Sequence, residues 1–134
     1  MPLPTDQLSP DAQYRMRVVI WAAMLGSIPM YGVIMKMVRP DAASPNPALE
    51  SALLVAAAAV VATSFGVKSF FFQRARALNN PAMVRVGELI AFSLCEMAAL
   101  FGLVLWFLAA APRSFWFLVL AAVGQLLHFP RRAE

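Results

Sequence analysis

The sequence predicts an all-α protein, a polytopic membrane chain with four transmembrane helices in an antiparallel bundle, and three observations lead there. Its 134 residues are 61% hydrophobic and 13% charged, against roughly 25% charged in ordinary soluble domains. Mean hydropathy is +0.70. Four apolar stretches, Val18 to Val38, Leu49 to Phe72, Leu89 to Ala111 and Ser114 to Phe129, are each bounded by prolines or charges. A helix needs about 20 apolar residues to cross a hydrocarbon core of about 30 Å, so a chain of this length holds four crossings and no separate soluble domain.

Residues 1–17, MPLPTDQLSPDAQYRMR, contain three prolines and two aspartates and no apolar core. They do not read as a cleavable signal peptide, and are expected to form a cytoplasmic N-terminal segment with the first helix, 18–38, as the insertion signal. Residues 18–134 then form one four-helix domain. Pro29 is expected to kink the first helix, and Lys36 near its outer end to snorkel. The stretch Arg39 to Pro47 ends that helix, because its three prolines lack the backbone donor and clash with the preceding turn. The second helix is expected over 49–72, and Asn79-Asn80-Pro81 marks the turn after it. The third helix is expected over 84–111. Ala111-Pro112-Arg113 then leaves room only for a tight hairpin into a short fourth helix over 114–129, about 24 Å of apolar helix at 1.5 Å per residue.

Basic residues are retained on the cytoplasmic side. Arg15, Arg17, Lys68, Arg74, Arg76, Arg85, Arg131 and Arg132 fall on one side of this topology, and Lys36, Arg39 and Arg113 on the other. The expectation is a cell-membrane protein with both termini cytoplasmic. The formal charge of +4 reads as topology, not nucleic-acid affinity, since no basic face with interleaved aromatics is available. The single cysteine, Cys95, excludes an intrachain disulfide and a multi-cysteine metal site.

In a bilayer, small residues let helix backbones approach closely, and polar side chains bond across helices. The second helix carries Ala52, Ala56, Ala59, Thr63 and Gly66, and the third Ala91, Cys95, Ala98 and Gly102, each at alternating spacings of four and three. These stripes are candidate packing faces, within the chain or in an oligomer; the alternative is that alanine is simply common here. Trp21, Phe115 and Trp116 suit interfacial belts.

Glu96 is the most informative residue. It is the eighth of the apolar stretch that begins at Leu89, about 12 Å along the helix axis, and is too short to reach water. An intramembrane acid is costly when charged, so it is neutral, paired or reached by water, and by default it marks a functional site. Burial favours the neutral acid, the behaviour of a proton carrier. The alternative is a structural hydrogen bond to Thr63, Ser64 or Gln125, and Cys95 is a further candidate partner. Glu88, beside Arg85, reads as a surface carboxylate, and His128 as a polar cap at the end of the fourth helix. Met24, Met30, Met35 and Met37 lack a second ligand type and a regular face, so they read as packing or lipid contacts, not as a soft-metal site. No nucleophile has an adjacent base, no glycine loop cradles phosphate and no zinc spacing occurs. The sequence therefore points to no enzyme, metal or cofactor.

The run from Arg85 through Gly87, Cys95, Glu96 and Gly102 to Leu105 resembles the second helix of the proteolipid c subunit of rotary ATP synthases. Asn79-Asn80-Pro81 stands where that family has its polar loop, Glu96 where it has its ion-carrying acid, and Phe101-Gly102-Leu103-Val104 where an aromatic-Gly-Leu-Val run follows. The resemblance covers residues 52–112 and implies an oligomer subunit with Glu96 as its proton-binding group. This chain departs from the pattern in several ways. The second helix has alanines and only Gly66 where the family has closely spaced glycines, the loop lacks Arg-Gln-Pro, and the first and fourth helices have no counterpart. Met97 after Glu96, and a second helix without glutamine in its apolar span, favour a proton over sodium. Two other readings are an accessory subunit of a larger membrane complex and a small four-helix proton-coupled exporter, though transporters of that kind carry their essential acid in the first helix. The expected partners are the lipid bilayer, other membrane subunits and further copies of the chain.

Overall fold

The computed structural model describes residues 9–41 and 44–130, which form four helices. Helix α1 spans Pro10–Met37, α2 Pro47–Ala77, α3 Ala82–Ala109 and α4 Ser114–Leu127. Three of them, α1 to α3, are long and apolar enough to cross a membrane, and α4 is shorter at 14 residues.

Helix α1 begins well before the apolar stretch, so residues 10–17 of the N-terminal segment are helical. The reason lies in Ser9-Pro10-Asp11. The Ser9 hydroxyl accepts from the Ala12 amide at 3.3 Å, proline at the first position gives up a donor that no helix uses, and Asp11 meets the positive end of the helix dipole. The same grammar starts α2 two residues earlier than expected: Asn46 accepts from Leu49 N at 3.0 Å, with Pro47 first and Glu50 in the first turn. At its other end α2 runs past Phe72 to Ala77, where Arg74 and Arg76 complement the dipole. Asn79 then turns left-handed (φ 46°) while the Asn80 amide returns to the Ala75 carbonyl at 2.9 Å, a Schellman-type stop. Helix α3 also ends on a left-handed residue, Ala110 (φ 45°). Helix α1 runs on through Pro29, which is exposed.

Helix α3 is central and touches all three others, with its broadest contact on α2. Every member of its small-residue stripe, Ala91, Cys95, Ala98 and Gly102, is buried. The stripe on α2 is different. Ala52, Ala59, Thr63 and Gly66 are exposed and Ala56 half-buried, while Ala57, Val61, Ser64 and Ala75 face inward. Alanine is so frequent on α2 that several faces could pack closely. The face chosen is the one whose Val61 enters the space left by Gly124, where a Cβ would lie 3.1 Å from the Val61 side chain and 3.0 Å from the Cys95 sulfur.

Gly102 and Gly66 make a test of this arrangement. A Cβ at Gly102 would lie 2.6 Å from Phe117 Cβ and 2.8 Å from the Ser114 carbonyl, whereas one at Gly66 meets nothing within 4 Å. Gly102→Ala is therefore expected to push α4 off α3 and lower the melting temperature in detergent, at a cost of about 1–3 kcal/mol. Gly66→Ala should leave it unchanged or slightly raised.

Contacts at the helix ends fix which termini lie together. Arg17, in the first third of α1, meets Glu88 near the start of α3, and Lys68 of α2 meets His128 at the end of α4. Opposite them, Trp106 Nε1 donates to the Val38 carbonyl at 2.9 Å, and Arg113 approaches Glu50 at 3.3 Å. Much of the surface is apolar: Val19, Val55, Phe70, Trp116 and Leu127 are all largely exposed.

Candidate functional site: a carboxyl held between α1 and α3

On α3, Cys95 and Glu96 are neighbours about 100° apart around the helix, so they face different partners. Cys95 points between α2 and α4, with its thiol 3.6 Å from the Ser64 hydroxyl. Glu96 turns toward α1, where Tyr31 donates to its Oε1 at 2.6 Å and the Ser27 hydroxyl lies 2.9 Å from the same oxygen. The four expected partners are thus replaced by two from a helix that sequence reasoning did not consider. Thr63 is exposed and donates to its own helix at the Ala59 carbonyl, 2.7 Å away. Ser64 is spoken for by His128. Gln125 is buried, and its side-chain amide has no hydrogen-bond partner among the described residues.

Helix periodicity explains the new partners. Ser27 and Tyr31 are four residues apart and share one face of α1. Ten residues separate Arg17 from Ser27 and eight separate Glu88 from Glu96, so once the Arg17–Glu88 contact sets the register, the two hydroxyls arrive level with the acid, roughly 12–15 Å further along. A pair of hydroxyl residues four apart in an apolar helix was the available signal.

The arrangement accommodates both protonation states of the acid. Ser27 Oγ is 2.7 Å from the Met24 carbonyl and 2.9 Å from Glu96 Oε1, and it has one proton to give. With Glu96 ionised, the Ser27 and Tyr31 hydroxyls both donate to Oε1. With Glu96 protonated, Ser27 turns its proton to the Met24 carbonyl and accepts one from the acid, while Tyr31 still donates. Each state is hydrogen-bonded after one hydroxyl rotation. The described residues give the other oxygen, Oε2, no hydrogen bond, and Glu96 is half-buried, so the carboxyl has an outer side at the edge of the α1/α3 seam.

One further residue differs from expectation. Glu88 is not a surface carboxylate: it is 3% exposed and accepts from Arg17 Nε at 2.6 Å and Nη2 at 2.5 Å. The polar start of α1 brings Arg17 down onto it, and the fork of the guanidinium matches both oxygens. His128 is the C-cap of α4, as expected, but not at an open helix end. It is buried, its Nε2 lies 2.7 Å from Ser64 Oγ, its ring stacks on Phe65 at 4.3 Å, and Lys68 Nζ donates to its carbonyl at 3.1 Å. Trp21 is half-buried: it donates to the Gln125 carbonyl at 2.7 Å and meets the Phe129 ring edge-on at 4.9 Å. Trp116 is exposed and Phe115 half-buried against Trp106. Among the described residues no three His, Cys, Asp or Glu side chains gather to hold a metal.

The chain matches no protein-family model, no curated protein and no solved structure.

Proposed function

We propose that the chain is an integral cell-membrane protein, an antiparallel four-helix subunit of a homo-oligomer or larger membrane complex, in which Glu96 takes up and releases a proton. Both termini face the cytoplasm, and the role is non-enzymatic. The observation that carries this reading is the two-state hydrogen bonding of Glu96: one oxygen is held by Tyr31 and Ser27, and the carboxyl opens at the side of the bundle where lipid or a neighbouring subunit would meet it. A hydroxyl-lined acid that can lose its proton without leaving a broken hydrogen bond suits a proton carrier. Its place on α3 also fits the likeness to the proteolipid c subunit, with α1 as an added helix that shields the acid.

A hydrophobic carbodiimide tests the protonation state. It adds the O–H of a protonated carboxyl across one C=N bond, and the O-acylisourea then rearranges to a stable N-acylurea with no leaving group. Treated at neutral pH in proteoliposomes, the protein should gain one adduct, mapped by peptide mass to Glu96, and labelling should fall as pH rises. Labelling confined to Glu50 or Glu88 would defeat the proposal.

One observation favours the accessory-subunit reading: Ser27 and Tyr31 satisfy Glu96 Oε1 inside a single chain, with no second copy needed. Recovery in fixed one-to-one ratio with a larger membrane protein, with no proton uptake by that complex, would establish it.

A further inference from the structure

Resting on the proton reading above, we propose that the Glu96 carboxylate binds an amphipathic organic cation in exchange for its proton. The two oxygens of the carboxyl are placed for different tasks. Oε1 is held by the Tyr31 hydroxyl at 2.6 Å and the Ser27 hydroxyl at 2.9 Å. Oε2 has no hydrogen bond among the described residues, and it belongs to a half-buried side chain at the edge of the α1/α3 seam.

Charge decides what the open oxygen meets. An ionised carboxylate among apolar side chains needs a positive partner, and among the described residues no Lys or Arg stands at this level. Arg85 lies eleven residues before Glu96 on α3, about 16 Å along the axis, and Arg17 lies ten before Ser27 on α1, about 15 Å. Arg17 is moreover bound to Glu88. Lys36, in the last turn of α1, is exposed and long enough to snorkel outward. Lys68 and His128 join α2 to α4, on the side to which Cys95 turns. Tyr31 is the titratable group that touches the acid, and it is a donor, not a counter-charge.

The surroundings select the kind of cation. A hard inorganic ion takes about six to eight oxygens, whereas the Ser27 hydroxyl, the Tyr31 hydroxyl and the Met24 carbonyl are already engaged in hydrogen bonds. The surface beside Oε2 is apolar instead. Leu89 and Leu100 share the Glu96 face of α3 and are 43% and 41% exposed. Ser93, between them, turns its hydroxyl back to the Leu89 carbonyl at 2.9 Å. One open carboxylate oxygen among exposed apolar side chains complements a positive charge carried in an apolar body. The exchange conserves charge: the Glu96 O–H bond breaks, the proton leaves to water, and the cation balances the carboxylate while Tyr31 and Ser27 both donate to Oε1.

Tetraphenylphosphonium is the probe, because it has one positive charge, an apolar surface and no exchangeable proton. Equilibrium dialysis against the full chain in neutral detergent should show saturable binding, with about one proton released per cation to a pH-sensitive dye, since two ligands that exclude each other are reciprocally linked. Glu96→Gln should lose the saturable binding. In the wild type, tetraphenylphosphonium should slow carbodiimide labelling of Glu96, while choline, equally charged but hydrophilic, should not. Undiminished binding by Glu96→Gln, binding without proton release, or equal protection by choline overturns the proposal. Glu96 that is labelled by carbodiimide yet binds no tetraphenylphosphonium overturns the cation site and leaves the proton reading intact. Glu96 that resists carbodiimide in the absence of any cation defeats the proton reading and the exchange with it.

Discussion

Glu96→Gln should abolish proton uptake by the reconstituted protein and eliminate the carbodiimide adduct, while leaving the fold in place. The substitution is close to isosteric, and a glutamine carbonyl oriented toward α1 still accepts from Tyr31 and Ser27, the two donors that meet Oε1. What it removes is the exchangeable proton. A structural acid would give the opposite pattern: Gln would serve nearly as well, and any proton movement measured with a pH-sensitive dye in vesicles would persist. Ser27→Ala supplies the intermediate case. It removes one of the two donors to Oε1, a bond worth about 1.5–3 kcal/mol when the acid is ionised, so proton uptake by the reconstituted protein should fall below wild type without vanishing. Wild-type uptake in Ser27→Ala would mean that the hydroxyl plays no part.

The largest stability effect should come from the Arg17–Glu88 pair. Glu88→Leu leaves a guanidinium held between α1 and α3 without its carboxylate, and loss of one partner of a buried pair costs about 3–5 kcal/mol. The pair is well enclosed, with side-chain exposures of 16% and 4%, so little of that is recovered from solvent. Unfolding in detergent by added sodium dodecyl sulfate should shift to markedly lower denaturant for Glu88→Leu. The double variant Arg17→Met with Glu88→Leu should recover most of the loss, because an apolar pair needs no desolvation of charge. Equal stability of wild type and Glu88→Leu would show that the contact positions α1 without holding it.

These two carboxylates also show how much of the site the sequence disclosed. Glu96 was visible from its place in an apolar stretch, since a charge there demands an explanation whatever the fold. Its surroundings were not. On α2 and α4 the sequence offers Thr63, Ser64 and Gln125, polar residues in apolar helices, but the angular position of a side chain on α3 depends on which helices flank it. Cys95 and Glu96 differ by a single residue and point to different neighbours. Glu88 looked like surface because it stands next to Arg85 at the end of the apolar stretch, and only the packing of α1 covers it. His128 is half of the same lesson: it caps α4 as its place before Phe129-Pro130 suggests, but only the packing of α2 shows that Ser64 and Phe65 close over it.

The small-residue stripes make the same point from packing. On α3 the periodic pattern and the buried face coincide because α3 has neighbours on most of its circumference. On α2, which packs along one side, the pattern of small residues fits more than one face, and periodicity alone could not choose between them.

By itself, then, the sequence determined the number of helices, their connections and the exceptional character of Glu96. Those follow from local rules: apolar length, proline and asparagine as stop and start signals, and the cost of charge among apolar residues. Helix ends that carry capping residues, such as Ser9 and Asn46, were written there too, though hydropathy alone placed them too late. The tertiary structure decided which face of each helix is inside, that Tyr31 and Ser27 meet the acid, and that Glu88 and His128 are buried. The physical reason is that rotation of one helix against another is set by the sum of many contacts between segments distant in sequence. The Gly124 opening that admits Val61 and the Arg17–Glu88 fork that sets the register of α1 are two of them.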